Sequence, residues 1–102
     1  MIKINYKAIE SVEAVIMVSW LSFWQQEDVP ILSDKIFRDL KGIRIIEQHE
    51  GADRVVIRFQ WQEIVLNLHF EFYSQSCWLE AESELDRHKL IDVKNTLQKS
   101  MQ

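Results

Sequence analysis

The side chains that could do chemistry here are three histidines, one cysteine and a group of carboxylates. His49, His69 and His88 stand roughly twenty residues apart. No pair has the i,i+4 spacing of a helix or the i,i+2 spacing of a strand that sets two imidazoles on one metal ion. A metal site would need three elements to converge, so these are ordinary surface histidines and neither a metal nor a cofactor is expected. His69 lies between Asn67 and Glu71 on the wet side of its strand, where it can meet a carboxylate of a neighbouring strand. Cys77 follows Ser74 and Ser76, and a thiolate beside a histidine would be a nucleophile. Its parity with Leu79 turns it inward instead, where a thiol is a small, unreactive hydrophobe. Glu71, Glu80 and Glu82, with Glu63 nearby, would divide acid and base roles if two came close. Arg54 and Arg58 on the adjacent strand make cross-strand ion pairing the simpler outcome. Asp53, in the turn Gly51-Ala52-Asp53-Arg54, is a candidate ligand-binding residue with His69, although such an aspartate more often fixes its own turn. The chain has no Gly-x-Ser-x-Gly elbow and no His-Glu-x-x-His pair.

The aromatic residues are the less ordinary feature. Trp20 and Phe23 suit a core. Trp61 sits at a hairpin tip, and Tyr73 and Trp78 have polar neighbours in parity, so all three are expected at the surface. Exposed Trp and Tyr mark recognition surfaces. Trp61, Tyr73 and Trp78, framed by Glu71, Glu80 and Arg58, are therefore the candidate interface. From Glu71 to Asp86 there are five acids and no Lys or Arg, a stretch that would draw a basic partner.

The elements that position these residues follow from periodicity. Ile2, Ile4, Tyr6 and Ala8 alternate with polar residues as in a strand with one wet face. Glu13 to Trp20 is apolar on both parities, which fits a buried strand or the middle of a buried helix. Its β-branched Val15, Ile16 and Val18 favour a strand, paired back on the first through a turn near Glu10-Ser11. Leu32, Ile36, Phe37 and Leu40 recur at helical spacing, with Pro30 near the start and Gly42 past the end; the helix begins at Trp24 or at Val29. A meander follows: Ile43–His49, then Arg54–Gln60 with Val55, Ile57 and Phe59 on one side, then a strand from Ile64 with Leu66, Leu68 and Phe70 facing one way, then Cys77–Glu82. Ser83 is placed to cap a last helix over about 84–100, whose stripe is Leu90, Val93, Leu97 and Met101 with Ile91 beside it. The order strand, strand, helix, four strands, helix predicts an α+β two-layer sandwich, an antiparallel sheet with two helices on one face.

Composition sets the outer bounds. The 102 residues suit one domain, 1–102, and 47% apolar with 27% charged residues is the balance of a globular protein. Two glycines and one proline leave no Rossmann or Walker A loop, and one cysteine leaves no intrachain disulfide. The formal charge of −4, shared evenly between the halves, argues against nucleic acid. The longest apolar run, Ala14–Val18, falls far short of the about 20 residues that span a bilayer. A lone thiol suits the reducing cytosol.

Gly51-Ala52-Asp53-Arg54 and the stretch Phe70-Glu71-Phe72-Tyr73-Ser74-Gln75-Ser76-Cys77-Trp78-Leu79-Glu80 resemble a family of bacterial proteins of roughly a hundred residues and unknown function, over about residues 28–82. The resemblance implies a stand-alone protein and lends no activity, cofactor or catalytic residue. No residue pattern identifies a substrate or a reaction, and an interaction role is favoured over an enzymatic one. The expected protein is a small cytoplasmic domain that associates with itself or another protein, the alternative being a small-molecule-binding or catalytic domain on the polar sheet face.

Overall fold

The structure is a computed structural model and describes residues 3–101. Ile2, the start of the predicted first strand, lies outside the described residues. Eight main elements follow in order: β1 (Tyr6–Val12), β2 (Val15–Trp20), α1 (Val29–Leu40), β3 (Ile43–Glu50), β4 (Arg54–Trp61), β5 (Ile64–Glu71), β6 (Ser76–Ala81) and α2 (Leu90–Lys99). The strands form one antiparallel sheet in the order β1-β2-β6-β5-β4-β3. The meander β3 to β6 thus ends beside β2, and α1 carries the chain across the sheet to its far edge. Both helices lie on one face, as the alternation predicts.

That covered face is the core. Ile16 and Val18 of β2, Val55, Ile57 and Phe59 of β4, Leu66, Leu68 and Phe70 of β5 and Leu79 of β6 are all nearly or fully enclosed. They meet Leu32, Ile36 and Phe37 of α1 and Val93 and Leu97 of α2 in one cluster. Phe37 packs edge-on against Phe59 with centroids 4.9 Å apart, and Trp24 against Phe70 at 5.5 Å, geometries that suit the ring quadrupoles. Polar ties fix the helices laterally. The Tyr6 hydroxyl donates to Asp39 at 2.6 Å, and the Gln98 amide donates to the Ile9 carbonyl at 3.0 Å.

Several details depart from the sequence expectation. The turn between β1 and β2 falls at Glu13-Ala14, not at Glu10-Ser11. A bulge between Tyr6 and Ala8 lets both Tyr6 and Ile9 face the core, so the inward alternation does not continue to Ala8, and pairing runs on to Val12 opposite Val15. Glu13 supplies the turn with φ 54°. Residues 15–20 are strand. The helix α1 starts at Val29, after a 3-10 turn at Gln26–Asp28. Phe23 is not core: it is 75% exposed, and Trp24 takes the buried place instead. The last predicted helix divides into a 3-10 turn, Glu84–Lys89, and α2. Ser83 does cap it, accepting from the Leu85 N–H at 3.2 Å. Its buried stripe is Leu90, Val93 and Leu97. Ile91 and Met101 are exposed, because Ile91 turns away from the sheet and the helix ends before Met101.

Candidate functional site

Among the described residues, the opposite face of the sheet carries no helix. In an antiparallel sheet, directly paired residues share a face, so the register reads the open face row by row. Its central row runs Met17, Trp78, His69, Val56 from β2 to β4. The next row runs Val15, Glu80, Asn67, Arg58, Glu47. On the other side lie Arg54, Glu71 and Ser76. The middle of the face is therefore apolar, made by Met17, Trp78, Val56, Val15 and Val65, all half-buried by their neighbours alone.

Trp78 and His69 form its centre. Their rings are parallel within 3°, with centroids 4.6 Å apart. His69 Nε2 is 2.6 Å from Glu80 Oε1, while Nδ1 is enclosed with no partner. A proton carried on Nε2 is directed at the carboxylate. His69 does meet a neighbouring strand's carboxylate, as its parity suggests.

The remaining carboxylates are held by partners. Glu82 accepts from Arg58 at 2.5 and 2.8 Å, a bidentate pair, and Arg58 also lies 3.7 Å from Glu47. The Arg58 contact holds the Glu82 carboxyl below its ordinary range. Glu71 receives the Ser74 hydroxyl and the backbone N–H groups of Ser74 and Tyr73, and chiefly through the hydroxyl its carboxyl is also held low. An acid–base pair needs one carboxyl raised toward neutrality; Glu71 and Glu82 are moved the other way. Glu84 and Asp86 face Arg87 and Lys89 at 3.5 and 3.8 Å. Of the five acids from Glu71 to Asp86, Glu82, Glu84 and Asp86 lie beside a basic side chain, Glu80 beside His69, and Glu71 is held by Ser74 and Tyr73.

Among the sequence candidates, His69, Trp78, Glu80 and Arg58 come together, with Glu71 two residues along the same strand. Tyr73 lies in the β5–β6 turn and is 87% exposed. Asp53 sits at the β3–β4 turn with its carboxylate 3.7 Å from Arg54 Nε, and the turn is closed by the Gly51 N–H donating to the Arg54 carbonyl at 2.8 Å rather than by the Asp53 side chain. His69 is engaged by Glu80, and Glu71 by Ser74 and Tyr73.

Trp61 is a correction. It is 4% exposed and lies on the covered face, its indole N–H donating to the Leu40 carbonyl at 2.9 Å at the end of α1. β4 runs through to Trp61, so its parity is that of Val55, Ile57 and Phe59, and the reversal begins at Gln62, with φ 56°. Cys77 is fully enclosed, as its parity indicates, and burial pushes its thiol up to about 12. A thiol so placed does not serve as a nucleophile at neutral pH.

Sequence reasoning missed the apolar members of the open face, Val15, Met17, Val56 and Val65. The signal was the doubly apolar run of β2: one parity fills the core and the other the centre of the open face. It also missed a groove of about 490 Å³ on the helical side, between the first half of α1 and β3 and β4.

A family model described as a protein of unknown function, DUF3630, matches residues 5–97, nearly the whole fold. The chain belongs to the DUF3630 family. Both the open face and the groove fall within the matched residues. No curated protein and no solved structure matches the chain. No helix among the described residues is long and apolar enough to cross a membrane.

Proposed function

We propose that this protein is a small cytosolic interaction domain that self-associates through the open face of its sheet. The observation that carries this is the row Met17, Trp78, His69, Val56, an apolar centre with charged side chains of both signs on either side. A large aromatic ring surrounded by a water-excluding polar rim is the arrangement that concentrates binding energy in interfaces. A two-fold interface sets a patch against itself. Arg54 and Arg58 interleaved with Glu47, Glu71 and Glu82 give such a patch acids for its partner's bases.

The size is also suitable. Six strands about 4.8 Å apart and six to eight residues long make a plane of roughly 25 by 25 Å. That is of the order of the ~800 Å² per partner that standard interfaces use. The cytosol is supported by the free buried thiol of Cys77.

Sedimentation velocity over a wide concentration range tests the proposal. The mass is expected to double with concentration, and Trp78→Ala to stay monomeric with an unchanged circular dichroism spectrum. A wild-type protein that remains a monomer throughout overturns it.

A further inference from the structure

The groove beside α1 differs in kind from the open face. Its floor is Val29, Phe37, Val55 and Ile57, and its rim carries Glu27 and Asp34 from the helical side and Glu50 from β3, with no Lys, Arg or His in the lining. Among the described residues none of these three carboxylates is in an ion pair. Arg38 bonds the Asp34 backbone carbonyl rather than its carboxylate, and Glu50 accepts only the Gln48 amide at 3.0 Å. Their charges are offset by no ion pair among the described residues, whereas Glu80, Glu82, Glu84 and Asp86 each lie beside a histidine or a basic side chain.

The strand that forms the outer wall is a sheet edge. Among the described residues β3 pairs with β4 alone, and it is exposed along most of its length. Its two sides alternate, so that Ile45, Gln48 and Glu50 border the groove while Glu47 and His49 pair onto the open face. A bulge between Ile45 and Glu47 and the charges Arg44, Glu47 and Glu50 guard this edge against indiscriminate pairing. The other edge is better covered: α2 packs on β1 and takes up the Ile9 carbonyl.

We propose that this groove and the edge of β3 together bind an extended segment of another protein in which lysine or arginine alternates with apolar residues. Such a segment adds to β3 as a seventh strand. The period of two sends every second side chain to the helical side of the sheet, so the basic residues of the segment face Glu27, Asp34 and Glu50 past Ile45 while its apolar residues lie along the opposite face of β3. The absence of any base in the lining selects a cationic occupant. The same absence disfavours a second copy, because two-fold pairing here would set the acidic rim against itself.

The test is fluorescence anisotropy of a labelled peptide of alternating lysine and valine, titrated with the full chain. Three further titrations accompany it: an alternating glutamate–valine peptide, the lysine–valine peptide N-methylated at alternate backbone amides, and the triple variant Glu27→Gln, Asp34→Asn, Glu50→Gln. All three substituted positions are exposed, and an unchanged thermal transition confirms the variant's fold. The expected results are saturable binding of the basic peptide, at least tenfold weaker in the triple variant and weakened by salt, with little binding of the other two peptides. Trp78→Ala is expected to bind the basic peptide as the wild type does. No binding of the basic peptide, equal binding of the acidic one, or an unchanged affinity in the triple variant overturns the proposal. Undiminished binding of the N-methylated peptide overturns strand addition.

Discussion

The two faces of the sheet are built from the same strands and differ in what a tryptophan does on each. Trp61 points into the helical layer, is nearly enclosed and ties β4 to the end of α1 through its indole N–H. Trp78 points the other way, half-covered by His69 and by residues of its own sheet. Its neighbour Cys77 is fully enclosed. One step along a strand therefore separates a structural side chain from a surface one, because side chains alternate with a period of two. The covered face holds the fold; the open face is free to hold a partner.

The largest effect is expected at Trp61. Trp61→Ala removes a buried ring and leaves the Leu40 carbonyl without its donor, and chemical denaturation is expected to show a loss of about 3–5 kcal/mol. A loss no larger than that of Trp78→Ala would refute the assignment of the two faces.

The next effect is in alkali and reports the covered face. The Cys77 thiol is raised from 9.0 to about 12 by burial, and the Tyr6 hydroxyl is raised above 10.0, chiefly by burial and then by its bond to Asp39. Between pH 9 and 12 the unfolded chain has released protons that the folded chain retains. Stability contributed by these groups is whole below the unfolded values and is lost as pH rises through the folded ones. The loss is expected to approach ~1.4 kcal/mol per pH unit for each such group. Cys77→Ala should flatten the decline; an unaltered pH profile would contradict the buried thiol.

The third prediction concerns Trp78→Ala. As the centre of the proposed interface it is expected to weaken self-association by about 2 kcal/mol or more, roughly thirtyfold in the dissociation constant, measured by sedimentation equilibrium. Its folding stability should change much less than that of Trp61→Ala.

The smallest effect reports the open face in acid. The Glu71 and Glu82 carboxyls are lowered from 4.5, chiefly by Ser74 and by Arg58. Their contribution is present above 4.5 and fades as pH falls through the lower folded values. Both groups are exposed, so the decline is expected to be shallow beside that in alkali. Glu82→Gln should remove part of it.

Much of the fold was legible in the residues. The alternation through Val55, Ile57 and Phe59 and through Leu66, Leu68 and Phe70 defined a covered face, and Leu32, Ile36, Phe37 and Leu40 defined the helix above it. Local irregularities were not legible. The bulge after Tyr6 depends on which of two nearby apolar residues the core can accommodate, and the place of Trp61 depends on how far β4 continues before turning. The open face was legible through the parity of Trp78, His69 and Glu80. The pairing of each acid depended on register, which brings Arg58 to Glu82 across an intervening strand. The groove was illegible because Glu27, Asp34 and Glu50 come from separate segments joined only by the crossover of α1.

The most direct test of the two-faced account is a dilution series followed by methyl resonances of isoleucine, valine and methionine. Concentration-dependent shifts are expected at Val15, Met17, Val56 and Val65, with Ile16, Val55 and Ile57 on the covered face unmoved. Shifts centred on Ile45 and Val29, or no shift at any methyl across the series, would contradict it.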